Sequence, residues 1–527
     1  MEFTRIPSTE LPWENSADHA NLAAAASVAT SNGTGVIVTG ITTVSTALTI
    51  TAPIMVAKGG MITKSGSGTL VINGSFEAGL FKVFNGFSAG NVTFGDGSVS
   101  EIFPEWWGAI ADGSTDSSAA FACSISAASV KKKLQEGTYL ANFSITTSNV
   151  NVEGQSARST YIKPYTDNPV ITIDSTSGPI QYTTLKSVGL SNDGTAFANI
   201  GILIKGSNIN DYIHAEDLFI WKFLNGIKVT GRTIWNNFEN ILVQTSSGNG
   251  IHYEINSDVD SVNLNKFTNV FSNGSTTGHG FYFKDSGTGA TAAYLSNSFH
   301  AINAESNAGS GFRIDGLSGG FGGGGGIYDS YFESNTDIGF YASGTLLVGF
   351  DFCNNLCWNS TSGTDYKNTC TLSHGKYEGN RTSGIVHIEI GSGNISIGNN
   401  YGATYNIVEN SNGYNFTGTN GFVTYSKGVL TSGTAYSVGT NYLRHSSNNA
   451  DTVSSITDGT LGQILVIERF SGTGSLTFTH GTSANNINLV SQADFILPLG
   501  ACITFIKTPT YWKEISNTSH LYSMFYY

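Results

Sequence analysis

Apolar and polar residues alternate in short runs along most of the chain, and a glycine opens many of these runs. Gly201-Ile202-Leu203-Ile204, Gly226-Ile227-Lys228-Val229 and Gly250-Ile251-His252-Tyr253 carry the phrase. It returns at Gly280-Phe281-Tyr282-Phe283, Gly311-Phe312-Arg313-Ile314 and Gly339-Phe340-Tyr341-Ala342. A second alternating phrase precedes most of these glycines, as in Asp217-Leu218-Phe219-Ile220 and Asn240-Ile241-Leu242-Val243. Two short period-two strands thus recur every ~25–30 residues, joined by Asn, Ser, Gly and Thr turns. Such a repeat cannot bury its own apolar face and must stack on its neighbours. Parallel stacking at ~4.8 Å predicts an all-β chain built around a right-handed parallel β-helix. A propeller blade needs about 40 residues and four antiparallel strands, and fits less well.

The flanks read differently. Val36-Ile37-Val38, Leu48-Thr49-Ile50 and Leu70-Val71-Ile72 predict a small N-terminal β module with a short leading helix over 1–103, in the form of a few β-helical coils. The solenoid is expected over 104–427. A small-residue stretch predicts a capping helix near 116–130, which would protect the open edge of the first coil. Beyond 428, Leu461–Ile467, Leu476-Thr477-Phe478 and Ile503-Thr504-Phe505 are spaced like antiparallel strands of a β-sandwich-like domain over 428–527.

Composition narrows the classes. Gly contributes 64 of 527 residues while charged residues reach only 12%, half the ~25% usual in soluble domains. The net charge of −13 argues against nucleic acid as a partner. The run Lys131-Lys132-Lys133 reads as the solvated end of a short helix. No apolar stretch approaches the ~20 residues of a membrane span, and no secretory signal is read. Five cysteines are too few to serve as the main stabiliser. Cys353, Cys357, Cys370 and His374 have metal-like spacing, but buried cysteines often only fill space, so no metal and no cofactor is expected.

Alternation assigns faces. Positions +1 and +3 after each glycine should point inward, leaving Lys228, His252, Tyr282, Arg313 and Tyr341 at outward positions. Aromatic platforms and cations in one column suit sugar rings and acidic groups; an ordinary solvated face is the alternative. Ala304-Glu305-Ser306-Asn307 aligns with Phe332-Glu333-Ser334-Asn335, so Glu305 and Glu333 should fall on consecutive coils. Neighbouring carboxylates push one pKa up and divide into an acid and a base or nucleophile, with Asp315 nearby in sequence. The plainer reading is a turn in which Asn307 and Asn335 form a structural ladder.

The tract Trp107-Gly108-Ala109, Asp112-Gly113 and Thr115-Asp116 resembles the opening motif of the pectate-lyase-like β-helix superfamily. That superfamily includes phage tailspikes and glycoside hydrolases related to polygalacturonases, and the resemblance extends over about 104–425. It implies a homotrimeric depolymerase on a phage virion tail, acting on a bacterial capsular or extracellular polysaccharide. In that reading Glu305, Glu333 and Asp315 hydrolyse glycosidic bonds. Tyr282, Arg313, His252, Tyr341 and Lys228 would then hold the glycan. The alternatives are a lyase acting by β-elimination on a uronate-containing glycan and a non-catalytic host-binding tail protein.

Overall fold

The computed structural model describes residues 12–192, 200–255, 261–285, 293–317, 321–344, 346–373 and 375–390. It also describes shorter stretches between 396 and 457, and 464–518 with breaks at 472, 482, 484 and 485. The chain forms two compact units, Met1–Arg313 and Ile314–Tyr527.

In the first unit, helix Leu22–Asn32 starts where Asn21 Oδ1 accepts from Ala24 N at 2.9 Å and stops at Gly33. Three parallel ladders follow it. Val36 pairs with Ile54 and Ile54 with Phe76; Ile62 pairs with Phe84; Leu48 pairs with Leu70 and Leu70 with Val92. Their inward residues Val36, Ile62 and Leu70 are fully buried. The N-terminal module is therefore itself β-helical.

The Trp107–Asp116 tract closes this module. Trp106 and Trp107 are buried, and Trp107 packs on Phe84 with ring centroids 5.0 Å apart. Asp112 accepts from Ser114 N, Thr115 N and Thr115 Oγ1 at 2.7–2.8 Å, bonds that hold its carboxyl far below the usual range. Helix Ser118–Ala127 covers the following coil, with Phe121 stacked on Phe143 at 4.9 Å. The basic run differs from expectation. Lys131–Lys133 is a strand, not a helix end, because its middle side chain alternates inward. Lys132 is 1% exposed and donates to the carbonyls of Ala128 and Val130, while Lys131 and Lys133 both pair with Glu153.

The main coils follow the glycine phrase. Ile202 pairs with Ile227, Ile227 with Ile251 and Ile251 with Phe281, all in parallel. Ile251, Tyr253, Phe281 and Phe283 are fully buried, as the alternation requires. The glycines form a ladder of close approaches. A Cβ at Gly201 would lie 2.6 Å from Gly226 O, one at Gly226 2.8 Å from Gly250 O, and one at Gly250 2.9 Å from Gly280 O. No larger residue fits where consecutive coils touch this closely.

The opposite sheet comprises Thr184–Ser191, His214–Trp221, Asn237–Gln244 and Lys266–Asn273. Each coil here turns at left-handed residues spaced five apart. They are Tyr212, Asp217 and Lys222; Trp235, Asn240 and Thr245; Leu264, Asn269 and Gly274; and Ser296, Ala301 and Ser306. Only one of these twelve is glycine, although a non-glycine in this region costs ~1 kcal/mol. Buried asparagines brace the corners: Asn265 Oδ1 accepts from Asn236 N at 3.1 Å, and Asn297 Oδ1 from Asn265 N at 3.0 Å. Asn307 does likewise for Ser275 N at 2.9 Å, as the ladder reading anticipates.

The second unit repeats the coil pattern, with Phe340 pairing with Tyr366 and Phe332 with Cys357. At its C-terminal end, Ile464–Ser471 and Cys502–Lys507 pair antiparallel, as do Cys502–Lys507 and Trp512–Thr518. Trp512 is fully buried in this core beside Leu465, Phe478 and Phe505, and its indole donates to Ile456 O at 3.0 Å.

Candidate functional site

The cation-aromatic column of the glycine phrase exists, but it is more enclosed than the sequence suggests. Lys228 pairs with His252 and His252 with Tyr282 across three strands. The His252 ring stacks on Tyr282 at 5.0 Å and 16°, with His279 4.9 Å from the same tyrosine. His252 is only 8% exposed. Burial, and then the charge of Lys228, push its pKa down to about 4, so the imidazole is neutral at neutral pH. Beside it, Glu254 bridges Lys228 at 3.0 Å and Lys284 at 3.7 Å. Burial alone would raise the Glu254 carboxyl, but the Lys228 bond and the neighbouring cations bring it below its ordinary value.

Glu305 stands on the other sheet. Strand Asn303–Glu305 pairs with Lys266–Asn273, with Asn303 opposite Phe271, and Glu305 N donates to Asn273 Oδ1 at 3.1 Å. Its carboxylate accepts from Asn303 Nδ2 at 2.5 Å. Glu305 and the Lys228–His252–Tyr282 column therefore belong to different flanks of the coil. The cause is the number of corners: alternation fixes in and out, but three left-handed turns per coil decide which way out.

Following the row that carries Glu305 leads to a groove. Trp221 pairs with Gln244 and Gln244 with Asn273, the residue bonded to Glu305. The groove encloses about 600 Å³, and its lining includes Arg158, Tyr161, Lys163, Phe219, Trp221 and Gln244. The Arg158 guanidinium lies 3.6 Å from the Phe219 ring centroid. Lys222 Nζ sits 4.3 Å from the Trp221 ring. Sequence reading missed this groove. One signal was available: in Leu218-Phe219-Ile220-Trp221 two large aromatics take the outward positions of one strand.

In the second unit, Glu333 ends strand Tyr331–Glu333 and accepts a hydrogen bond from the Tyr331 hydroxyl. It precedes the left-handed Ser334 as Glu305 precedes the left-handed Ser306, so both hold the same place within their coils. Trp358, 48% exposed, lies opposite Glu333 in the ladder. Asp315 accepts from Ser343 Oγ at 2.5 Å. Tyr341 carries Lys367 5.4 Å above its ring. Arg313, the last residue of the first unit, is half-buried on strand Phe312–Leu317. Cys357 is buried, and burial pushes its thiol pKa well up; the Cys370 and His374 side chains lie outside the described residues. Among the described residues no cluster of three His, Cys, Asp or Glu could hold a metal, and no helix is long and apolar enough to cross a membrane.

The antiparallel strands after the coils carry the decisive likeness. Residues 424–513 match the family model of the phage depolymerase C-terminal β-sandwich domain. That segment resembles the C-terminal domain of phage depolymerases. No curated protein sequence matches the chain. Solved structures that resemble it include the A-module of an Azotobacter vinelandii mannuronan C-5 epimerase, at 12% identity and TM-score 0.42, covering 62% of this chain and 100% of that one. The Dettilon tailspike protein aligns at 12% identity and TM-score 0.40, over 79% of each chain. A tailspike of Acinetobacter baumannii bacteriophage Fri1, a capsular polysaccharide depolymerase, aligns at 12% identity and TM-score 0.33, over 57% of this chain and 63% of that one.

Proposed function

We propose that the chain is a phage tailspike depolymerase that hydrolyses glycosidic bonds of a bacterial capsular or extracellular polysaccharide. The observation that carries this reading is the match of residues 424–513 to the family model of the phage depolymerase C-terminal β-sandwich domain. A carboxylate held by Asn303 on a rigid strand suits acid-base or nucleophilic work on a glycosidic oxygen or anomeric carbon. Glu333 and Asp315 are the further carboxylates of this proposal, each to be tested on its own. Tyr282, Arg313, Tyr341, Lys228 and His252 belong to it as glycan contacts, with His252 acting through the Tyr282 ring it supports. The chain would act as a homotrimer on the virion tail.

The test is to incubate the full chain with purified surface polysaccharides from a panel of bacteria and follow chain length. New reducing ends without ultraviolet absorption from a new double bond support hydrolysis. A product with that absorption identifies a lyase instead, and binding without shortening of any glycan identifies an adhesin. The Glu305→Gln variant should bind glycan and leave it intact.

A further inference from the structure

The groove at Arg158 lies about three strand spacings, ~14 Å, from Glu305 along the row Trp221–Gln244–Asn273. It is too far away to take part in bond cleavage there. Its construction is nevertheless that of a ligand site. Gly189 sits in the ladder between Tyr161 and Phe219. A Cβ at Gly189 would meet the Tyr161 ring at 2.6 Å and Ala157 O at 2.7 Å, so no side chain fills the gap between the two aromatics. Phe219 points outward yet is 6% exposed, because the loop carrying Arg158 closes over it. Trp221 and Tyr161 remain partly open beside this floor.

The charge is as specific as the shape. The chain carries −13 overall, and yet Arg158 and Lys163 line the groove with no Asp or Glu among its described lining residues. Lys222, over the Trp221 ring, adds a third cation at its edge. Aromatic faces accept the apolar faces of sugar rings, while guanidinium and ammonium groups pair with carboxylates. A carboxylate on a bound sugar would meet cations here in an otherwise charge-poor chain.

We infer that this groove is a non-catalytic subsite for a carboxylate-bearing sugar, and hence that the polysaccharide is anionic. The row from Trp221 to Glu305 would hold the intervening units of one glycan chain. This inference rests on the depolymerase reading for its ligand class, but its test reads binding rather than cleavage.

An array of purified bacterial polysaccharides, each printed as isolated and after chemical reduction of its carboxyl groups, is probed with the full chain. Binding is expected to acidic glycans and to be lost on the reduced spots. Arg158→Gln and Trp221→Ala should each weaken that binding about tenfold or more, and added salt should weaken it further. Circular dichroism and melting temperature should match the parent, and Lys163→Gln provides an independent surface variant if Trp221→Ala fails to fold. Binding to neutral glycans only, or to none, overturns the inference. So does Arg158→Gln binding as tightly as the parent. Binding that depends on Arg158 with no glycan shortened refutes the depolymerase reading and leaves the subsite standing. Glycan shortening that is indifferent to Arg158 does the reverse.

Discussion

A Cβ on Gly226 would stand 2.8 Å from the carbonyl oxygen of Gly250, one coil farther along. The same relation links Gly250 to Gly280, where a Cβ would also fall 1.8 Å from Ser272 Oγ. Gly250→Ala is therefore expected to cost at least ~1–3 kcal/mol through overpacking. Gly40→Ala, where nothing lies within 4 Å of the new carbon, should leave the melting temperature unchanged. Equal melting temperatures for the two variants would dismiss the ladder as a constraint.

Glu305→Gln should lower the depolymerisation rate by about 10²-fold or more, with binding retained, since a neutral amide cannot exchange the proton. Viscometry or size-exclusion chromatography of the digested glycan measures this. Full activity in the variant would remove Glu305 from the mechanism.

Stability should fall as pH drops from about 6.5 to about 4. His252 titrates near 4 in the folded state against ~6.5 unfolded, so the unfolded chain binds the extra proton first over that window. The loss is complete below pH 4 and absent above 6.5. Burial first, then Lys228, Lys284 and His279, disfavour the imidazolium, and Glu254 favours it. His252→Phe keeps the stack on Tyr282 and should flatten this part of the denaturation profile. An NMR titration placing the ring near 6.5 would contradict the prediction.

Lys132 gives the opposite end of the pH scale. Burial pushes its pKa down to about 8, below the unfolded value of ~10.4. Below pH 8 the folded chain bears the cost of a buried ammonium, and stability from this residue rises between pH 8 and 10.4 as the folded state sheds its proton first. Calorimetry should show that rise in the parent and lose it in Lys132→Met.

Trp512→Phe removes the donor to Ile456 O and should destabilise the C-terminal sandwich by ~1–3 kcal/mol, read from its denaturation midpoint. Catalytic activity of the coils would be the control.

Much of the fold was legible because period-two alternation is written directly into the chain. The inward pairs Ile251 and Tyr253, or Phe281 and Phe283, follow from it. Helix Ser118–Ala127 and the antiparallel strands near Phe478 and Phe505 were equally plain. The site was less legible, for two reasons. Left-handed corners fall on Tyr212, Trp235 and Leu264, residue types that give no sign of such a backbone, so the division into two flanks was hidden. The groove depends on Arg158 meeting Phe219, sixty-one positions apart, an encounter that no local pattern encodes.

The five-residue spacing of the corners has a consequence for how such a protein changes its target. Coils differ in length, but the two stretches between Tyr212, Asp217 and Lys222 keep their length in the coils that follow. Trp221 and Glu305 both stand on the second of these fixed stretches. An insertion there would move every later corner off its column, whereas a longer loop on the far side disturbs none. If the proposed function holds, a lineage adapting to a new glycan would thus rewrite this face one side chain at a time, and save its insertions for the back.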